Sequence, residues 1–148
     1  MRWVDDSKAT NPHAANASLR AFEHVVWVVG GLLKGVDLGM LVELHKSRLR
    51  AAIIIGVERE PVRAAFERHA PEVPVFEIDS ADTQNVMQHV VERASTLVVP
   101  GDTVLLAPAA ASMDQFTDYA DRGEQFSQAV RNHLGGRDEH PNGDSIEH

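Results

Sequence analysis

The sequence predicts an α/β fold of the Rossmann-like, doubly wound kind, a mostly parallel sheet with helices on both faces. Three observations predict it. Short β-branched runs alternate with helix-length segments at the spacing of βαβ units. The runs at 25–29 and 51–55 are apolar without alternation, as in strands covered on both faces. Gly, Pro, Asn and Asp punctuate the chain where strands pass into helices.

The elements follow in order. Residues 2–4 read as a short strand ending in Asp5-Asp6-Ser7. Asn11 is a good N-cap with Pro12 at the first helical position, so a helix is expected to about Phe22. The next strand holds Val25, Val26, Trp27, Val28 and Val29, and Gly30-Gly31 ends it. A loop over 32–37 leads to an amphipathic helix expected over 38–49. Residues 51–56 form a strand, 60–69 a helix with Pro61 in its first turn, and 75–78 a short strand. Ser80 or Asp82 is expected to cap a helix running to about Leu97. Pro100-Gly101-Asp102 is a turn, 103–107 a strand, and 108–112 a loop of small residues. Residues 114–134 read as a helix with a break near Gly123. There is no internal repeat, and crossovers are expected to be right-handed.

The chain has 148 residues, 43% hydrophobic and 24% charged, which fits one soluble domain with a real core. The domain is expected over 1–134. Residues 135–148 form an acidic tail, expected to be disordered, whose only large apolar side chain is Ile146. One arginine against four carboxylates gives that tail a net −3 of the total −8. The acidic balance argues against nucleic-acid backbones and anionic membranes as partners. There is no cysteine, which excludes a disulfide framework, a thiol nucleophile and a Cys-type zinc site. No run approaches the roughly 18 apolar residues of a membrane helix. The N-terminus lacks the apolar core of a signal peptide, so a soluble intracellular protein is expected.

Ligands of open α/β sheets collect outside the carboxyl ends of the strands. Three loops there carry unusual residues. Loop 5–11 crowds two carboxylates, an ammonium, two hydroxyls and an amide before a helix N-terminus, where free N–H groups favour an anion. The same residues also read as helix capping by Thr10 or Asn11 beside a solvated Asp–Lys pair. Loop 30–35, Gly-Gly-Leu-Leu-Lys-Gly, is neither G-x-G-x-x-G nor a Walker A loop. Its Lys34 is one of three lysines in the chain, yet a Gly-rich turn with a surface lysine reads as easily. Loop 108–114 offers small residues and Ser112, which also suits an N-cap. No G-x-S-x-G elbow supports a serine hydrolase. None of the eight histidines shows H-E-x-x-H or another zinc spacing, and no metal site is expected. Asp118, Asp121 and Glu124 read as a solvated helix face.

Taken together, these loops carry a specific pattern. It comprises Asp6-Ser7-Lys8-Ala9-Thr10-Asn11-Pro12, Gly30-Gly31-Leu32-Leu33-Lys34-Gly35, Leu106-Ala107-Pro108-Ala109-Ala110-Ala111-Ser112-Met113-Asp114-Gln115-Phe116 and Tyr119-x-x-Arg122-Gly123-x-x-Phe126. In order and spacing it resembles the C-terminal domain of the Mur ligases, in the branch that adds D-glutamate, over about 2–134. That resemblance implies a Rossmann-like domain presenting D-glutamate to a UDP-N-acetylmuramoyl-L-alanine acceptor, in a monomeric cytoplasmic ligase of peptidoglycan-precursor synthesis whose ATP and Mg2+ are bound mainly by its N-terminal and central domains. The carboxylate of the acceptor is phosphorylated, and the D-glutamate amine attacks it. Lys8 is the implied catalytic residue. Thr10, Lys34, Ser112, Met113 (through its N–H) and Tyr119 are implied to bind D-glutamate. Asp6, Lys8 and Asn11 are implied to face the nucleotide. Two departures from the pattern are Asp5, where some relatives have asparagine, and Met113, where leucine or phenylalanine is common. No G-K-[ST] phosphate loop occurs in these residues, so the 148 residues alone are expected to be inert. The alternatives are a related amino-acid or folylpolyglutamate-type ligase domain, and a stand-alone nucleotide-binding module.

Overall fold

A computed structural model describes residues 1–79, 85–135 and 145–147. Among the described residues, six strands form one sheet: β1 (Arg2–Asp5), β2 (Val25–Gly30), β3 (Leu49–Ile55), β4 (Val75–Glu77), β5 (Thr103–Leu106) and β6 (Ser145–Glu147). Their order across the sheet is β4-β3-β2-β5-β1-β6, and every pairing is parallel. Among the same residues, five α-helices connect them: α1 (Pro12–Leu19), α2 (Gly39–His45), α3 (Glu60–His69), α4 (Val86–Leu97) and α5 (Tyr119–Gly135).

Unbroken apolar runs follow from this arrangement. Successive strand residues face opposite sides, so a strand covered twice needs apolar residues at every position. Val25, Trp27 and Val29 of β2, with Ala52 and Ile54 of β3, enter the core under α1, α2 and α3. Val26 and Val28, with Ala51, Ile53 and Ile55, enter the core under α4 and α5. Trp27 packs its ring 6.0 Å from that of Phe66 on α3, and its indole N–H donates to the carbonyl of Ala107 at 2.8 Å. Among the described residues, no helix is long and apolar enough to cross a membrane.

Several expected boundaries move, each for a local reason. The first helix ends at Leu19 rather than about Phe22, and the Arg48 guanidinium takes the carbonyl of Phe22 at 2.6 Å. The helix expected over 38–49 is only α2, followed by a 3-10 turn at Lys46–Arg48, because β3 begins at Leu49. The helix expected from 114 starts at Tyr119 and runs through Gly123 unbroken. Its start is fixed by two side-chain caps: Asp121 N–H donates to Asp118 Oδ1 at 2.8 Å, and Thr117 N–H donates to Asp121 Oδ2 at 3.0 Å. Asp118 and Asp121 are thus a cap rather than a plain solvated face. The caps expected at Ser80 and Asp82 lie outside the described residues, as do residues 136–144 of the expected tail. Within that stretch, Ser145–Glu147 pairs with β1 as the edge strand β6, and Ile146 packs against the α4–α5 core.

Candidate functional site

The sheet order decides which loops meet. Strands β2, β5 and β1 are neighbours, so the loops leaving their carboxyl ends lie side by side. These are the three loops singled out in the sequence. The chain leaves β1 toward the face of α1 and leaves β5 toward the face of α5. Between those two strands the winding reverses, the usual place for a ligand crevice.

Backbone hydrogen bonds weave the three loops together. Gly30 N–H donates to Pro108 O at 2.9 Å, and Ala109 N–H donates to Ala9 O at 2.9 Å. Leu32 and Ala111 exchange both of their bonds, at 2.8 and 3.1 Å, as an isolated antiparallel bridge. Ala109 sits at φ +60°, a conformation that L residues seldom adopt and that these surrounding bonds over-determine. Gly30 and Gly31 have φ of +121° and +139°, and a Cβ on Gly31 would stand 2.4 Å from Ala111 O. Only glycine allows that approach. The weave extends to β3: Gly56 N–H donates to Gln115 Oε1 and Val57 N–H to Asp114 Oδ2, both at 2.9 Å.

A second set of bonds comes from α5. Arg122 is fully buried, with 0% exposure. Its Nε donates to Ser7 Oγ at 2.9 Å, one Nη to Ser7 O at 2.6 Å, and the other Nη to Ala110 O at 2.9 Å. Burial pulls this guanidinium down to about 10, against the pull of Asp114 and Asp5, so it remains charged at neutral pH. The Ser7 hydroxyl donates in turn to the carbonyl of Tyr119 at 2.7 Å. Asp5 accepts from Ser7 N–H and from the Ser127 hydroxyl, each at 3.1 Å. The neighbouring Gly123 leaves room for that carboxylate: a Cβ there would stand 2.9 Å from both of its oxygens.

The implied site residues fall around this weave. Lys8 is exposed and shares a hollow of about 200 Å³ with Asp5, Ser7, Tyr119, Ala120 and Gly123. Tyr119 is 51% exposed at the first turn of α5. Asp6 is half-buried and Thr10 is half-buried in the same loop. The Asn11 side chain caps α1, accepting from Ala14 N–H at 2.9 Å. Ser112 is buried, whereas Met113 is 66% exposed. Neither N–H has a backbone partner among the described residues. Lys34 is exposed at φ +54°, two residues beyond the Leu32–Ala111 bridge. The structure therefore gathers Lys8 and Tyr119 in one hollow, which Lys34, Ser112 and Met113 do not line.

A larger hollow of about 640 Å³ lies between α4 and α5. Its amides are bonded along their own helices, Gln88 to Glu92, Gln128 to Asn132 and Gln125 to Asp121. It is a gap in helix packing, and the smaller hollow carries the strand-end residues. Sequence reasoning assigned no role to Arg122, Ser7, Asp5 or Gly123. One signal was present: Arg122, Phe126, Val130 and Leu134 recur every fourth residue, so the arginine is in phase with a buried stripe.

Comparison with known proteins gives matching results. The family described as "Mur ligase, glutamate ligase domain" matches residues 1–110. The UDP-N-acetylmuramoylalanine--D-glutamate ligase of Leifsonia xyli subsp. xyli is 64% identical over 136 residues, 92% of this chain and 26% of that protein. The enzymes of the same name from Streptomyces coelicolor and Corynebacterium efficiens are 56% and 43% identical, over 88% and 94% of this chain and 28% and 29% of those proteins. The chain thus spans about a quarter of the length of the curated relatives it matches.

Proposed function

The chain belongs to the Mur ligase, glutamate ligase domain family, and from that premise we propose that it is the D-glutamate-presenting part of an ATP-dependent ligase acting on UDP-N-acetylmuramoyl-L-alanine. The observation that supports this reading is the weave of the three strand-end loops, beside which Lys8 and Tyr119 share one hollow. The reaction joins the D-glutamate amine to the acceptor's L-alanine carboxyl with loss of phosphate. Such chemistry needs a small dianion held with its amine aimed at the carbonyl, and positioning is the domain's main contribution.

Each residue then has a definable task. Lys34 offers a point charge to one carboxylate of D-glutamate, and its exposure leaves it free to reach a ligand. Thr10, the Ser112 hydroxyl and the Met113 N–H supply hydrogen bonds. The exposed Tyr119 ring packs on the substrate beside Lys8. The Lys8 ammonium lies where negative charge spreads over the transferring phosphoryl group. Asp6 faces the nucleotide; the Asn11 carbonyl oxygen is engaged in capping, which leaves its amide NH2 for a ligand. The phosphate end of ATP therefore fits Lys8. Mg2+ would be held mainly through the phosphates of the nucleotide and residues outside this domain, and no step is assigned to it. The whole enzyme acts as a cytoplasmic monomer.

The test places this chain in the Leifsonia xyli ligase, in place of the matching 136 residues. Phosphate release is then followed with ATP, Mg2+, UDP-N-acetylmuramoyl-L-alanine and an added amino acid. Turnover is expected with D-glutamate and not with L-glutamate or meso-diaminopimelate. Turnover on either of the latter overturns the assignment and favours a related ligase. The 148 residues alone are expected to release no phosphate.

A further inference from the structure

We propose that Arg122 is a positioning residue whose buried guanidinium sets the distance between the loop that carries Lys8 and the loop that carries Ser112. What those loops bind rests on the ligase reading above; the clamp itself rests on geometry. Three donated hydrogen bonds leave one planar group in two directions, two to Ser7 and one to Ala110. Ser7 immediately precedes Lys8, and Ala110 lies two residues before Ser112. Both loops are therefore referenced to one rigid fork on α5.

The chemistry requires arginine. Its donors diverge at fixed angles in one plane, whereas lysine presents a compact head that cannot reach both loops at once. An apolar side chain of similar length would leave the Ser7 and Ala110 carbonyls bare in a dry site. The three acceptors of the fork are a hydroxyl and two carbonyls, all neutral. The Asp5 and Asp114 charges act on it from the two loops, one from each. A buried charge hydrogen-bonded to neutral groups is a costly feature, and costly features persist where geometry matters. Gly123 adds an independent observation. With no Cβ, it lets α5 approach so closely that the Asp5 carboxylate and the Ser7 Cβ would stand 2.9 and 3.0 Å from any Cβ added there. The helix is thus seated on the Lys8 loop by two consecutive residues.

The test compares amide hydrogen exchange in the 148-residue chain and in Arg122→Lys. The amides of Thr10, Ala109 and Ala111 are expected to exchange about tenfold faster in the variant, with those of β2 and β3 within about twofold of the parent. Equal acceleration of loops and strands would mean that Arg122 is only part of the core, and no acceleration would mean that the loops hold themselves; either result overturns the proposal. If Arg122→Lys fails to fold, the parent decides. Its Arg122 Nη protons must exchange slowly and show couplings across hydrogen bonds to the Ser7 and Ala110 carbonyl carbons, and their absence overturns the clamp. A kinetic arm uses the Leifsonia xyli chimera. There Arg122→Lys is expected to lower kcat about tenfold while KM for the muramoyl substrate holds, and the reverse split overturns the proposal. A parent chimera that is inactive, with the exchange pattern as expected, rejects the ligase reading and leaves the clamp standing.

Discussion

The middle of the sheet and its carboxyl-end platform are held by different forces. At the middle, Trp27, Ile53, Ile54 and Leu105 are fully buried and apolar. Their stability comes from area removed from water and from close packing. At the platform, Ser7, Ala109, Ala110, Leu32 and Arg122 are held by directed hydrogen bonds between polar groups. The first kind of bonding is tolerant of direction and intolerant of lost volume. The second is tolerant of solvent nearby and intolerant of displacement. A site that must hold atoms at fixed separations benefits from the second, mounted on a rigid example of the first.

Four substitutions or titrations probe that contrast. Trp27→Ala removes a fully buried ring, its packing on Phe66 and its bond to Ala107 O. The expected loss is roughly 3–5 kcal/mol in chemical denaturation, and a loss below about 1 kcal/mol would show that the middle of the sheet is not the stabilising region. Gly31→Ala puts a Cβ against Ala111 O at an unfavourable φ. It should cost about 2 kcal/mol and should loosen the Leu32–Ala111 bridge first, read as faster exchange of those two amides. A smaller effect is expected from Asn11→Ala, which deletes the cap of α1. The cost is about 1 kcal/mol, read as fraying of α1 while the platform holds. A variant that releases Ala109 N–H as well would show cap and platform to be one unit.

The last probe is pH. His45 is buried on the α1–α2 side, with Nε2 at 2.7 Å from Asn16 Oδ1. Burial lowers its pKa below the usual histidine range, and the Arg48 and Arg20 charges lower it further. A depressed histidine binds fewer protons when folded than when unfolded. Its contribution is therefore present above about pH 6.5 and declines as pH falls through that value. His45→Gln should flatten the slope of stability against pH below about 6.5 while leaving the platform amides protected. An unchanged slope would place the acid sensitivity elsewhere.

Much of the scaffold was legible in the sequence. The strands at 25–30 and 103–106 and the helix at 60–69 follow from composition and period alone. The early end of α1 was not legible, because the Ala21 and Phe22 amides turn back to Ser18 O and Leu19 O in a tightened turn, and Arg48, from a distant turn, bonds the Phe22 carbonyl that follows. The late start of α5 was hidden for a similar reason. Asp114 and Gln115 have helix-compatible side chains, but those side chains are bonded to the Val57 and Gly56 amides across the sheet edge. At the candidate site, Lys8 and Tyr119 were legible as residues and their shared hollow was not. The task of Arg122 was not legible, because it holds together two loops, one 12 and the other 115 positions away along the chain.

The sequence by itself determined the strand and helix identities, the two-sided burial of the sheet and the three polar loops, since each depends on neighbours a few residues apart. Tertiary structure decided which loops meet and what holds them. The strand order β2-β5-β1 brings together segments that are remote along the chain, and Arg122 bonds Ser7 across 115 positions. Local periodicity records which face a residue presents. It carries no record of which distant carbonyl that residue will find, because that is fixed only when the sheet closes its order.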